Sequence, residues 1–131
     1  MRQPGPEKWW EYAENDLDTA RVLFRAERWD AASFHAQQAV EKGLKALLVQ
    51  ALGGLPPRVH DLVRLGELVG VPEEVLSELD DLSRAYVVTR YPDAVPPGVE
   101  GYGIDRVAAE RHLKIGERAL QWARDRLSTG S

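Results

Sequence analysis

The sequence contains no cysteine. A disulfide framework, a thiolate zinc site and a cysteine nucleophile are therefore excluded. It has no apolar run of the about 20 residues that a membrane span requires. The longest candidate, Leu44 to Leu55, is short and interrupted by polar residues. Residues 1–10, MRQPGPEKWW, lack the apolar core of a signal peptide. The chain also lacks excess positive charge: 17 Lys and Arg stand against 21 Asp and Glu, a net charge of −4. Coating nucleic acid by bulk charge is thereby excluded, whereas a local basic patch is not. No metal-ligand spacing is present, because His35, His60 and His112 lie far apart and no HExxH occurs. There is no phosphate loop and no GxSxG. Gly53 and Gly54 follow a helical pattern rather than precede one, so they do not cradle phosphate. These absences lead us to expect a soluble cytoplasmic protein with no membrane contact, no cofactor and no metal.

What is present is helical periodicity. The 131 residues are 44% hydrophobic, enough for one domain with a core. We expect a single unit over 1–131, with 1–6 and 128–131 flexible. Trp9, Ala13, Leu17, Ala20, Leu23 and Phe24 share one face of a helix from Pro6 to about Glu27. A second helix is expected from Asp30, a candidate N-cap, to Leu52, with Ala36, Val40, Gly43, Leu44, Leu47, Leu48 and Ala51 as its apolar face. The glycine pair then stops it, and Pro56-Pro57 prevents resumption. His60 to Val69 reads as a short helix. Pro72 opens another, which carries Val75, Leu76, Leu79, Leu82, Ala85 and Tyr86 and ends before Pro92. After the proline- and glycine-rich segment 92–103, Asp105 caps a last helix to about Leu127, with Ala108, His112, Ile115, Ala119, Leu120 and Trp122 as its apolar arc. Short connections between long amphipathic helices imply an all-α, up-and-down antiparallel bundle of four or five helices.

Three features can carry chemistry. His35, Gln38, Lys42 and Lys45 project within about 80° of one another on the second helix. Two cations, an amide and an imidazole on one face can bind phosphate; the alternative is a solvated face with Glu41–Lys45 as an ordinary i,i+4 pair. Asp16 interrupts the apolar arc of the first helix, which points to a structural, partly buried carboxylate paired with a cation. Lys42, Lys45 and Arg90 are the candidate partners. Finally, Arg90, Tyr91 and Asp93 cluster at a helix end, where a guanidinium for phosphate and a ring for base stacking would form a ligand rim. The alternative is that Tyr91 packs, Pro92 terminates and Asp93 caps. The acidic stretch 66–83 reads as a solvated face or as a surface for a basic partner.

The run AASFHAQQAVEKGLKALL at 31–48 resembles the signature helix of the HEPN domain family. Trp9, Ala13, Asp16, Leu17 and Ala20 resemble that family's first helix. His60-Asp61-Leu62 resembles its His-x-Leu element, and Tyr86 with Thr89-Arg90-Tyr91-Pro92-Asp93 resembles its closing motif. The resemblance implies a helical bundle, often a homodimer. It also implies one of several roles: a nucleotide- or RNA-binding subunit acting with a minimal nucleotidyltransferase, commonly in a toxin–antitoxin module; a metal-independent endoribonuclease toxin with an Arg-x(4–6)-His motif; or a noncatalytic structural subunit that binds protein.

Two spacings fit the ribonuclease motif, Arg28–His35 and Arg106–His112. With 13 arginines and three histidines in the chain, chance alone supplies about one match. In that reading His112 would be the general acid or base and Arg106 the charge stabiliser, with no metal. However, His112 lies in the apolar arc and Arg106 lies about 120° away on the polar side. The expected ligand contacts are therefore Lys42, Lys45, Arg90 and Tyr91, supported by His35, Gln38 and Asp93.

Overall fold

The computed structural model describes residues 4–90 and 103–127. They form five helices and, among the described residues, no strand: α1 Pro6–Arg25, α2 Trp29–Leu52, α3 Leu62–Val69, α4 Glu73–Arg90 and α5 Arg106–Arg126. Local chemistry sets most of the boundaries. Pro6 starts α1 where a missing N–H costs nothing. The Asp61 carboxylate accepts from the Val63 N–H at 3.0 Å at the head of α3. The Asp105 carboxylate accepts from the Ala108 N–H at 2.9 Å at the head of α5. The Pro72 carbonyl receives the N–H groups of Val75 and Leu76, which opens α4. Gly53 (φ 71°) ends α2 and Gly70 (φ 80°) ends α3, both in the left-handed region that favours glycine.

Three boundaries differ from the sequence reading. Helix α3 starts at Leu62 rather than His60, because Asp61 takes the cap position. Helix α1 stops at Arg25 because Glu27 adopts φ 61°, and the turn closes with the Arg28 N–H on the Leu23 carbonyl at 2.9 Å. Helix α2 begins at Trp29, so Arg28 holds the cap position, without a side-chain cap bond, and Asp30 sits in the first turn. Trp29 packs edge-on against Phe24 at 5.2 Å, which draws the helix start forward. Asp30 still suits that end by its charge.

The residue pairings fix the topology. On α1 and α2, Asp16 meets Lys42 and Phe24 meets Trp29, so the two run antiparallel. Glu14–Arg124 and Arg21–Glu117 set α1 antiparallel to α5. Glu78–Arg118 and Asp81–Arg111 set α4 antiparallel to α5. Up-and-down order makes α2 and α5 a parallel diagonal pair, and Ser33–His112 and Gln50–Arg126 agree with that direction. This diagonal is the close one: among the described residues α2 and α5 touch, whereas α1 and α4 do not. Small residues permit the approach, with Gly116 against Ala36 and Gly43 against Leu120.

Helix α2 is consequently the centre of the bundle and is buried on almost every side. Its core face includes Ala36, Val40, Gly43, Leu44, Leu47 and Leu48 as expected, but Ala51 is exposed near the helix end. On α1, Trp10 rather than Trp9 is fully in the core. On α5, Ala109 rather than Ala108 is buried, and His112 lies in the core as its position in the arc requires.

Candidate functional site

A residual polar stripe is what α2 shows to solvent. Its partly exposed positions from Ala31 to Lys42 are Ala31, Phe34, His35, Gln38 and Lys42. These share one side of the helix, because three- and four-residue steps return to the same face. Helix α1 flanks the stripe and contributes Asp16. The Asp16 carboxylate is 15% exposed and joins two groups of α2: Lys42 Nζ lies 2.5 Å from Oδ2, and His35 Nδ1 lies 3.2 Å from Oδ1. Lys42 is one of the partners expected for Asp16. Lys42 and His35 are 28% and 32% exposed, so the cluster sits at the solvent edge of the α1–α2 contact rather than inside it. The Phe34 ring stands edge-on to His35 at 5.4 Å.

Lys45 is not on that stripe. Its ammonium is buried and bonded at 2.9 Å to Glu41, itself buried. His60 Nδ1 reaches the same carboxylate at 2.9 Å from the loop before α3. Gln37 donates toward Glu41 at 3.5 Å and accepts from the Gln38 amide at 2.7 Å. Lys45 also stands 5.9 Å from the Trp9 ring. The i,i+4 pair expected on a solvated surface is thus an enclosed ion pair. Two carboxylates, Asp16 and Glu41, each bridge one lysine and one histidine, but the second bridge is enclosed apart from His60.

A third cluster joins α2, α4 and α5. Ser33 Oγ lies 2.9 Å from His112 Nδ1, and both are buried. His112 Nε2 lies 3.8 Å from Asp81, which accepts from Arg111 Nε at 2.6 Å. Burial pushes the His112 imidazole below its ordinary value, and the attraction of Asp81 does not restore it. For Asp81, burial acts to raise the carboxyl, but the hydrogen bond and charge of Arg111 hold it below the usual value. Enclosed between a hydroxyl and a carboxylate, His112 presents no open edge to a substrate within this chain. Arg106 is exposed at the start of α5.

Of the other expected contacts, Arg90 is the last residue of α4, while Tyr91 and Asp93 lie outside the described residues. The structure gathers Asp16, His35, Gln38 and Lys42 on one surface and separates Lys45 and His112 from it. In the acidic stretch, Glu78, Asp80 and Asp81 are each paired with an arginine, Arg118, Arg84 and Arg111 respectively. Among the described residues no group of three or more His, Asp or Glu side chains is arranged to hold a metal ion, and no helix is long and apolar enough to cross a membrane. The Ser33–His112–Asp81 and Glu41–Lys45–His60 clusters are not legible as units in the sequence. The signal it offers is the small hydroxyl at Ser33 and the charged residues at positions 41 and 45, within a run otherwise dominated by alanine and leucine.

Comparison with known proteins agrees with this architecture. The chain is 31% identical over 130 residues to "Putative toxin MJ1304" of Methanocaldococcus jannaschii, covering 86% of this chain and 82% of that protein. Its fold is similar to the crystal structure of TT1696 from Thermus thermophilus, with a TM-score of 0.80, 31% identity, and coverage of 93% of this chain and 98% of that one. It is also similar to ST0689, an archaeal HEPN homologue, with a TM-score of 0.78, 28% identity, and coverage of 96% and 100%. A HEPN domain protein of Thermotoga maritima, tm0613, matches with a TM-score of 0.70, 28% identity, and coverage of 92% and 98%. Since residues 6–126 match the HEPN domain, the chain belongs to the HEPN family.

Proposed function

We propose that this chain is the HEPN component of a two-component module of the toxin–antitoxin kind, a homodimeric nucleotide- or RNA-binding subunit that acts with a minimal nucleotidyltransferase. Family membership and the likeness to a protein named as a toxin support the module. The observation that carries the binding role is the convergence of His35, Gln38 and Lys42 on the open stripe of α2. An ammonium and an imidazole N–H are donors suited to phosphate oxygens. The enclosure of His112 favours a binding role over ribonuclease action through Arg106 and His112. A general base must reach the proton that it removes.

The test is titration of a labelled mixed-sequence RNA with the purified protein in EDTA, read by fluorescence anisotropy and on a denaturing gel. Binding without cleavage is expected, weakened about tenfold in Lys42→Ala. Capture of the tagged chain from its native extract is expected to return a nucleotidyltransferase. Failure of the folded protein to bind either RNA or nucleotide overturns the reading, and cleavage that is lost in His112→Ala replaces it with the ribonuclease.

A further inference from the structure

The Asp16 cluster has a geometry that ordinary surface ion pairs lack. Two donors on α2, the Lys42 ammonium and the His35 Nδ1–H, converge on the two oxygens of one carboxylate supplied by another helix. The two donors therefore lie where a single small anion can engage both at once. A phosphoryl group offers that same pattern, with more charge. We propose that this cluster is a receptor for one terminal phosphoryl group, on a nucleotide or at an RNA end, and that Asp16 fills its seat in the free protein.

The inference rests on the nucleotide-binding reading and narrows it to a class of ligand. Asp16 is a competing anion with one negative charge. A phosphodiester in an RNA backbone also carries one and gains nothing by displacing it. A terminal phosphomonoester carries about −1.5 to −2 near neutral pH and has three strong acceptor oxygens, so it outcompetes the carboxylate. The surroundings fit this choice. The cluster is half-buried at the edge of the α1–α2 contact, so a bound group meets its donors from one side only. The next lysine on the helix, Lys45, is buried on Glu41 and offers no second step along a strand. Gln38 lies between His35 and Lys42 on the stripe, and its amide retains one N–H after bonding Gln37. Once displaced, Asp16 becomes free to face solvent from the edge of α1.

The test compares 5′-phosphorylated and 5′-hydroxyl RNA of one short sequence in EDTA, with AMP as competitor. Wild type is expected to bind the 5′-phosphorylated RNA about tenfold more tightly. His35→Ala and Lys42→Ala are each expected to abolish that preference. Asp16→Asn removes the competitor and is expected to widen the preference several-fold, whereas a carboxylate that merely held the two donors in place would be missed. Competition by AMP shows that the phosphoryl group on a free mononucleotide suffices, and preference without such competition assigns the ligand to an RNA end; both support the receptor.

Equal binding of the two RNAs overturns this inference and leaves the binding function standing. No binding of any ligand overturns both. A preference that survives in His35→Ala and Lys42→Ala, or that shrinks in a folded Asp16→Asn, also overturns the receptor. Thermal unfolding establishes which variants are folded, and if Asp16→Asn is not, the His35 and Lys42 variants decide.

Discussion

Gly43 faces Leu120 so closely that a β-carbon on Gly43 would lie within van der Waals overlap of Leu120 Cδ2, with the Trp10 ring at 3.5 Å behind it. Leu120 is itself buried and has little room to turn. A β-carbon on Gly116, elsewhere along the same α2–α5 contact, would meet Ala36 and Leu17 at an ordinary 3.6 Å. The same substitution is therefore expected to act with opposite sign at the two positions. Gly43→Ala overpacks the diagonal at about 1–3 kcal/mol, more than the about 1 kcal/mol that alanine returns as helix propensity. Gly116→Ala keeps the propensity gain and stabilises by roughly 0.5–1 kcal/mol. Urea midpoints of the two variants, at unchanged m-value, check this.

Acid should loosen the bundle through His112. Its folded-state value lies below the ordinary 6.5 because of burial. As pH falls through that value the unfolded chain takes up a proton that the folded chain resists, so stability is full above the ordinary value and declines below it. In a series of melting temperatures from about pH 7.5 to 5, wild type is expected to lose stability steadily below the ordinary imidazole range. His112→Gln is expected to flatten that part of the profile. An unchanged slope in the variant would show that another group sets the dependence.

Ser33 is the hydroxyl that satisfies the buried Nδ1 of His112. Ser33→Ala leaves that nitrogen enclosed without a partner, at an expected loss of about 1–3 kcal/mol. The loss is predicted to vanish largely when the substitution is made in a His112→Leu background, since the group left unpaired is then gone. A double-mutant cycle in denaturant measures the difference.

The Glu41–Lys45 pair should behave as an enclosed pair rather than a surface one. Removing one charge, as in Lys45→Met, leaves the buried Glu41 carboxylate with only His60 and Gln37 as partners and is expected to cost about 3 kcal/mol. The double variant Glu41→Leu with Lys45→Met is expected to recover most of that loss. An exposed i,i+4 pair would show only a few tenths of a kcal/mol for the single change. Equilibrium unfolding of the three chains separates the cases.

Much of this arrangement is legible in the residues themselves. Period-3.6 patterning places the long helices, and turn chemistry at Gly53, Gly70, Pro72 and Asp105 places ends of α2, α3, α4 and α5, because those residues act locally. Asp16 in an apolar arc signals a paired carboxylate, and Lys42 is among the cations within its reach. His112 in the apolar arc of the last helix signals enclosure. The failures on the faces of α2 have one shared source. A helical wheel supposes a dry side and a wet side, but α2 is surrounded by α1, α3, α4 and α5. Lys45 and Glu41 therefore go inside although they lie on what the wheel draws as the polar half. Which tryptophan of the Trp9–Trp10 pair enters the core depends on the crossing of α1 with α2 and α5, and no local rule carries that information. The bond between Ser33 and His112 spans 79 positions and exists only because α5 lies along α2.

The short α2–α5 diagonal also sets how the two flanks communicate. Helices α1 and α4 each rest on the central pair and, among the described residues, share no contact with each other. A perturbation on one flank can reach the other only by moving α2 or α5, which are tightly packed and resist displacement. Changes of sequence on α1 and on α4 should then sum independently in their effects on stability, so that either surface can be remodelled for a new partner while the other keeps its own.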